Sequence, residues 1–229
     1  MDSYRKTAII VGVLFIIATA AGVLSLVFSG PLNTPDYLVE VAANETQIII
    51  GGLFMLIMGF AVAGIGIGMY PIFKKQNEVL ALGYAGFRLI EGALFIASVV
   101  SLLSILTLSQ EFVKAGAPDA SHFQTMGAVL TGENYWVYHM GTLSLGLAAL
   151  IFYYLLYKSK QIPRWLSAWG LIGVPLWFAV SLLIIFGLDS SSTVSTLLYL
   201  PIGVNEMVLA IWLIVKGFNS SAIPSEPVK

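Results

Sequence analysis

Four ionisable residues lie inside long apolar stretches of this chain: Arg88, Glu91, His139 and Glu206. Such a group costs about 3 kcal/mol or more at the centre of a bilayer, so each needs an interior partner or a task. Arg88 and Glu91 stand three residues apart and can pair on one helix face. With a rise of about 1.5 Å per residue, Glu91 and Glu206 fall at a common depth near the midplane, Arg88 about one turn to one side and His139 in the opposite half. Tyr84, Arg88, Glu91, Phe95 and Ser98 recur at steps of three and four, which makes one polar stripe on one helix. Asn205 and Glu206 follow Pro201, and Ser195, Tyr199 and Glu206 share a face of a second helix. The two faces predict a buried polar centre between the third and sixth apolar helices.

These residues leave three readings open. Glu206 and Glu91 could carry charge or protons at a site that binds or transports a small molecule, a lipid or a proton, with Arg88 holding an anionic group or tuning Glu91 and His139 at the outer entrance. The two carboxyls could instead share general acid and base roles in an intramembrane enzyme acting on a lipid. A purely structural centre, in a scaffold or interaction protein, is the third: Arg88 then neutralises one or both carboxylates and fixes helix register. If Arg88 satisfies Glu91, Glu206 is left wanting a proton or another partner. His139, in the run Tyr135-Trp136-Val137-Tyr138-His139, reads equally as an interfacial histidine bonded to a carbonyl or a headgroup.

Metal and cofactor chemistry is not expected. The second histidine, His122, falls in a loop, cysteine is absent, and neither a His-Glu-x-x-His run nor a Gly-x-Ser-x-Gly elbow occurs. Absence of a sustained basic block argues against a nucleic-acid partner.

The elements that must position these groups follow from composition: 58% of the residues are hydrophobic and 10% charged, against about a quarter charged in ordinary soluble domains. Apolar stretches long enough to cross a bilayer run over about Thr7–Phe28, Gln47–Tyr70, Leu80–Thr107, Asn134–Tyr157, Arg164–Phe186 and Thr193–Val215. The expectation is an all-α, polytopic membrane bundle of six helices forming a single domain over 1–218, with a short disordered tail over 219–229. Arg5, Lys6, Lys74, Lys75, Lys158, Lys160, Arg164, Lys216 and Lys229 fall on one side, and most loop acids on the other. Basic loops stay in the cytoplasm, so both termini are expected inside.

Thr34-Pro35-Asp36 predicts a short helix through Tyr37, Leu38 and Val41, and Pro118-Asp119 a second one that Gly132 ends; either could lie flat as a lid. Small residues Gly59, Ala63, Gly64, Gly66 and Gly68, with Ala18 and Gly22 on the first span, mark close helix packing. The Gly64-x-x-x-Gly68 pair permits a homo-oligomer without requiring one. Pro175 and Pro201 fall inside the fifth and sixth spans, where each removes a backbone hydrogen bond. Glu91 and Glu206 stand about half the chain apart, each on the third span of a three-helix half, but their flanking residues scarcely match.

Several runs resemble a prokaryotic family of six-span membrane proteins, domain of unknown function 4386. They are Asn44-Glu45-Thr46, Arg88-Leu-Ile-Glu91-Gly-Ala-Leu-Phe95, Ile162-Pro163-Arg164-Trp165-Leu166, and Pro201-Ile-Gly203-Val-Asn-Glu206 with Trp212-Leu-Ile-Val-Lys216-Gly217. The resemblance spans nearly the whole chain and implies a multi-pass protein of a prokaryotic cytoplasmic membrane. It names no activity. Asn205 stands where the family usually has glycine.

Overall fold

The computed structural model describes residues 3–30, 32, 34–116 and 120–219. Within them the chain is all helical: α1 (Ser3–Phe28), α2 (Tyr37–Ala43), α3 (Glu45–Phe73), α4 (Glu78–Lys114), α5 (Ala120–Ser159), α6 (Arg164–Ile185) and α7 (Thr193–Val215). All but α2 are long and apolar enough to cross a membrane. Their outward faces carry Ile10, Leu53, Phe60, Ile67, Leu82, Ile172 and Ile211, all exposed. Side chains of this kind are stable against lipid tails and costly against water.

The six long helices pack as a closed ring. Each leans chiefly on its chain neighbours, α1 on α3, α3 on α4, α4 on α5, α5 on α6 and α6 on α7, and α7 returns to α1. The polar faces of α4 and α7 therefore meet across the interior of the ring rather than along a shared helix-helix seam.

Small residues permit the tightest seams. A methyl group on Gly92 would stand 2.5 Å from the Gly59 carbonyl oxygen, and one on Gly66 2.7 Å from Arg88 Cβ, so these glycines bring α3 against α4. Gly64 and Gly68 turn the other way, toward Leu14 and Val11 of α1. The small residues expected to pack helices do so within the bundle.

Contacts between helix ends gather the basic residues at one end. Arg5 donates to the carbonyl oxygens of Leu213, Ile214 and Val215 at 2.9, 2.5 and 3.2 Å, which satisfies carbonyls that the end of α7 leaves unpaired. Lys75 Nζ donates to the Tyr4 hydroxyl at 2.5 Å. Asn219 N–H donates to the Gln161 carbonyl at 2.8 Å, joining the end of α7 to the α5–α6 connection. Lys229 and the remainder of the expected tail, from 220 onward, lie outside the described residues.

The other end differs from expectation in one respect. The short helix after Thr34-Pro35-Asp36 forms as α2, with Leu38 and Val41 buried and Val41 packed into a cluster with Leu102, Ile105 and Leu106 of α4. Pro118 and Asp119 lie outside the described residues, but the helix that follows them is not a separate lid. It runs without a break through Gly132 into the fourth span as α5. A helical glycine costs only about 1 kcal/mol, and here the extension gains packing from Phe112 against Phe123, with ring centroids 5.6 Å apart, and a bond from Asn134 Nδ2 to the Ser98 carbonyl at 2.7 Å. At about 1.5 Å per residue α4 is about 55 Å long, well beyond a hydrocarbon core of about 30 Å. Both α4 and α5 thus project past the membrane opposite the basic end. The α6–α7 turn is closed by Asp189, which accepts from the N–H and Oγ of Ser191 at 2.9 and 2.8 Å; these bonds hold its carboxyl below the usual range.

Candidate functional site

The stripe on α4 faces inward along its whole length: Tyr84, Arg88, Glu91, Phe95 and Ser98 are all buried. Arg88 Nη1 stands 2.9 Å from Glu91 Oε2, and its Nε donates a long bond to the Val62 carbonyl at 3.4 Å. The guanidinium lies 5.9 Å from the centre of the Phe15 ring, close enough for a cation–π contact. One arginine thereby engages α1, α3 and α4 at once. Glu91 is 0% exposed, and neither of its carboxylate oxygens has a well-aligned hydrogen bond. The ion pair is its main compensation.

On α7, Tyr199, Ile202, Glu206, Leu209 and Leu213 follow steps of three and four, with Ile202, Leu209 and Leu213 buried, so Glu206 points the same way as its buried neighbours. It is half-buried and within Coulombic reach of Arg88, Glu91 and the hydroxyls of Tyr84 and Tyr153. Among the described residues its carboxyl makes no hydrogen bond and no ion pair. The Tyr153 hydroxyl is likewise buried without a partner. Around these groups the rings are locked: Tyr84 stacks on Phe152 at 5.3 Å and meets Phe73 edge-on at 5.3 Å. Tyr153 is pressed against Gly170 of α6, where any larger residue would strike its ring.

A second polar layer lies nearer the far end, between α5, α6 and α7. His139 is buried between Tyr135 and Tyr138, with ring centroids at 4.3 and 5.4 Å, and its Nδ1 has no partner. Trp177 Nε1 donates to the Thr142 carbonyl at 2.9 Å, and the Tyr199 and Ser181 hydroxyls stand 3.4 Å apart. Tyr138, packed on Phe95 at 5.4 Å, is within Coulombic reach of both Glu91 and Tyr199, so it bridges the layers.

The sequence-derived residues thus fall into three groups. Tyr84, Arg88, Glu91 and Glu206 come together in the central layer, and His139 and Tyr199 in the second. Asn205 is turned to α6 instead: it is fully buried, and its Nδ2 donates to the Leu166 carbonyl at 3.0 Å. It pins α7 to α6. Tyr153 and Tyr138 are hard to read as site residues from sequence, because in an apolar run a tyrosine reads as packing; Tyr153 and Tyr84 lie at matching distances from the basic end, which is the signal that pairs them. No group of three or more metal-ligating side chains occurs among the described residues.

A ring of six apolar helices around a polar interior defines a multi-pass integral membrane protein. The chain belongs to the family described as Domain of unknown function (DUF4386), whose model matches residues 10–217. No curated protein and no solved structure matches it.

Proposed function

We infer that this chain is a membrane protein that takes up a proton, or a small cationic molecule in its place, at the central layer where Glu206 approaches Arg88 and Glu91. The observation that carries this reading is a charge imbalance. Two carboxyls share one guanidinium, and that guanidinium is committed to Glu91 at 2.9 Å. An uncompensated charge inside a bilayer is costly, and a bound proton is the smallest group that removes it. The Tyr84 and Tyr153 hydroxyls supply polar contacts for an occupant, and the His139–Tyr199 layer supplies further polar groups toward the far end. The bias of basic residues supports a basic end facing the cytoplasm of a prokaryotic cell.

A structural clamp is the second reading, favoured by the reach of Arg88 to Glu91, Val62 and Phe15. In that reading Arg88 neutralises Glu206 as well as Glu91, so both carboxylates bear on stability. Melting Glu206→Gln and Glu91→Gln in the same detergent separates the two. Gln is nearly isosteric with a protonated Glu, so Glu206→Gln is expected to keep the wild-type Tm, whereas Glu91→Gln strands Arg88 and loses about 3–5 kcal/mol. Equal losses in the two variants overturn the proton reading.

A further inference from the structure

The basic end carries a second feature that the central layer does not use. A pocket of about 420 Å³ opens between the α5–α6 connection and the end of α7, lined by Lys160, Gln161, Ile162, Arg164, Trp212, Lys216 and their neighbours, with no carboxylate in its lining. We propose that this pocket binds a phosphate monoester or diester anion, supplied as the headgroup of an anionic phospholipid.

Charge is the first argument. Lys160, Arg164 and Lys216 surround the pocket, and none pairs with a carboxylate among the described residues; the Arg164 guanidinium rests 5.5 Å from the centre of the Tyr157 ring, which leaves its N–H fork available to an oxyanion. The start of α6 adds to this field, because Pro163 provides no side-chain cap and the first N–H groups of a helix carry its positive pole.

Buried polarity is the second. Gln161 lies in the pocket wall at 0% exposure, and neither its Nε2 nor its Oε1 has a partner. A buried amide without hydrogen bonds is costly, and a turn of this side chain toward the pocket would give its N–H donors an oxyanion acceptor.

Backbone conformation is the third. Lys160 has a φ of 59°, the single positive value outside glycine among the described residues. Holding lysine there costs of order 1 kcal/mol where glycine would cost nothing, and the strained residue is a cation that lines the pocket.

Depth selects the source. α6 begins at Arg164 and α7 ends at Val215, so the pocket sits where the apolar surface gives way to headgroups. Trp212 and Phe218 in its lining suit that boundary, and basic pockets between helix ends at this level suit anionic headgroups. A free phosphate would use the cations and leave the aromatic wall unused.

Native mass spectrometry of the full chain, taken from vesicles of equimolar dioleoyl-phosphatidylglycerol and dioleoyl-phosphatidylcholine, tests the proposal. One phosphatidylglycerol retained in preference to phosphatidylcholine is expected. In Lys160→Gln/Arg164→Gln/Lys216→Gln the preference falls by roughly tenfold or more, and in the control Lys6→Gln/Lys74→Gln/Lys158→Gln, which removes equal charge at the same end, it persists. Lys160→Gly guards against misfolding, because it relaxes the backbone while removing one cation: it is expected to melt no lower than wild type and to retain less phosphatidylglycerol. Equal preference in the two triple variants overturns the pocket in favour of diffuse surface attraction. Stabilisation by inorganic phosphate alone, with no lipid preference, overturns the lipid source.

Discussion

Arg88 Nη1 and Glu91 Oε2 stand 2.9 Å apart, one turn along α4, with both side chains buried. The pair is local in sequence, yet it anchors three helices, because the same guanidinium reaches the Val62 carbonyl and the Phe15 ring. Removing one partner leaves an uncompensated charge in the bundle. Arg88→Gln and Glu91→Gln are each expected to destabilise by about 3–5 kcal/mol, and Arg88→Met/Glu91→Leu by much less than their sum. Denaturation in a single detergent, read as a double-mutant cycle, checks the coupling.

Close approach of α3 and α4 at Gly59 and Gly92 gives a second expectation. Gly92→Ala drives a methyl group into the Gly59 carbonyl, which is backbone and cannot rotate away, so a loss of about 1–3 kcal/mol is expected. Gly86, on the same helix, meets nothing within 4 Å. Gly86→Ala should be neutral or stabilising by up to about 1 kcal/mol. Melting temperatures of the two variants must therefore move in different directions or by very different amounts.

Arg5 caps the last carbonyls of α7 from the start of α1, and this closes the ring. Arg5→Ala is expected to cost about 2 kcal/mol, from lost charge-assisted bonds. Faster amide exchange confined to the ends of α1 and α7 would localise the effect; unchanged exchange there would show that the cap contributes nothing.

Much of this arrangement is legible in the residues themselves. The six apolar stretches, the gathering of Lys and Arg at one end and the inward stripe from Tyr84 to Ser98 each follow from spacing and hydropathy, which depend on local chain geometry. Long-range geometry is a different matter. The closed ring, in which α4 and α7 face each other across the interior, depends on tertiary packing that no periodicity encodes. Gly132 reads as a turn signal in the sequence, and contacts with α4 override it to keep α5 continuous. Asn205 is next to Glu206 in sequence, but adjacent helical residues point about 100° apart and its amide serves α6. The basic pocket is not legible in the sequence, because its cations read as ordinary loop charges until the fold brings Lys160, Arg164 and Lys216 together around Gln161.

The most direct test of the central claim, a proton held by Glu206, is infrared spectroscopy of the chain in lipid membranes at neutral pH. The account predicts a carbonyl stretching band of a protonated carboxylic acid in the wild type, lost in Glu206→Gln and retained in Glu45→Gln, whose carboxyl is exposed at the start of α3. A wild-type spectrum without that band, or one whose band survives in Glu206→Gln, would contradict it.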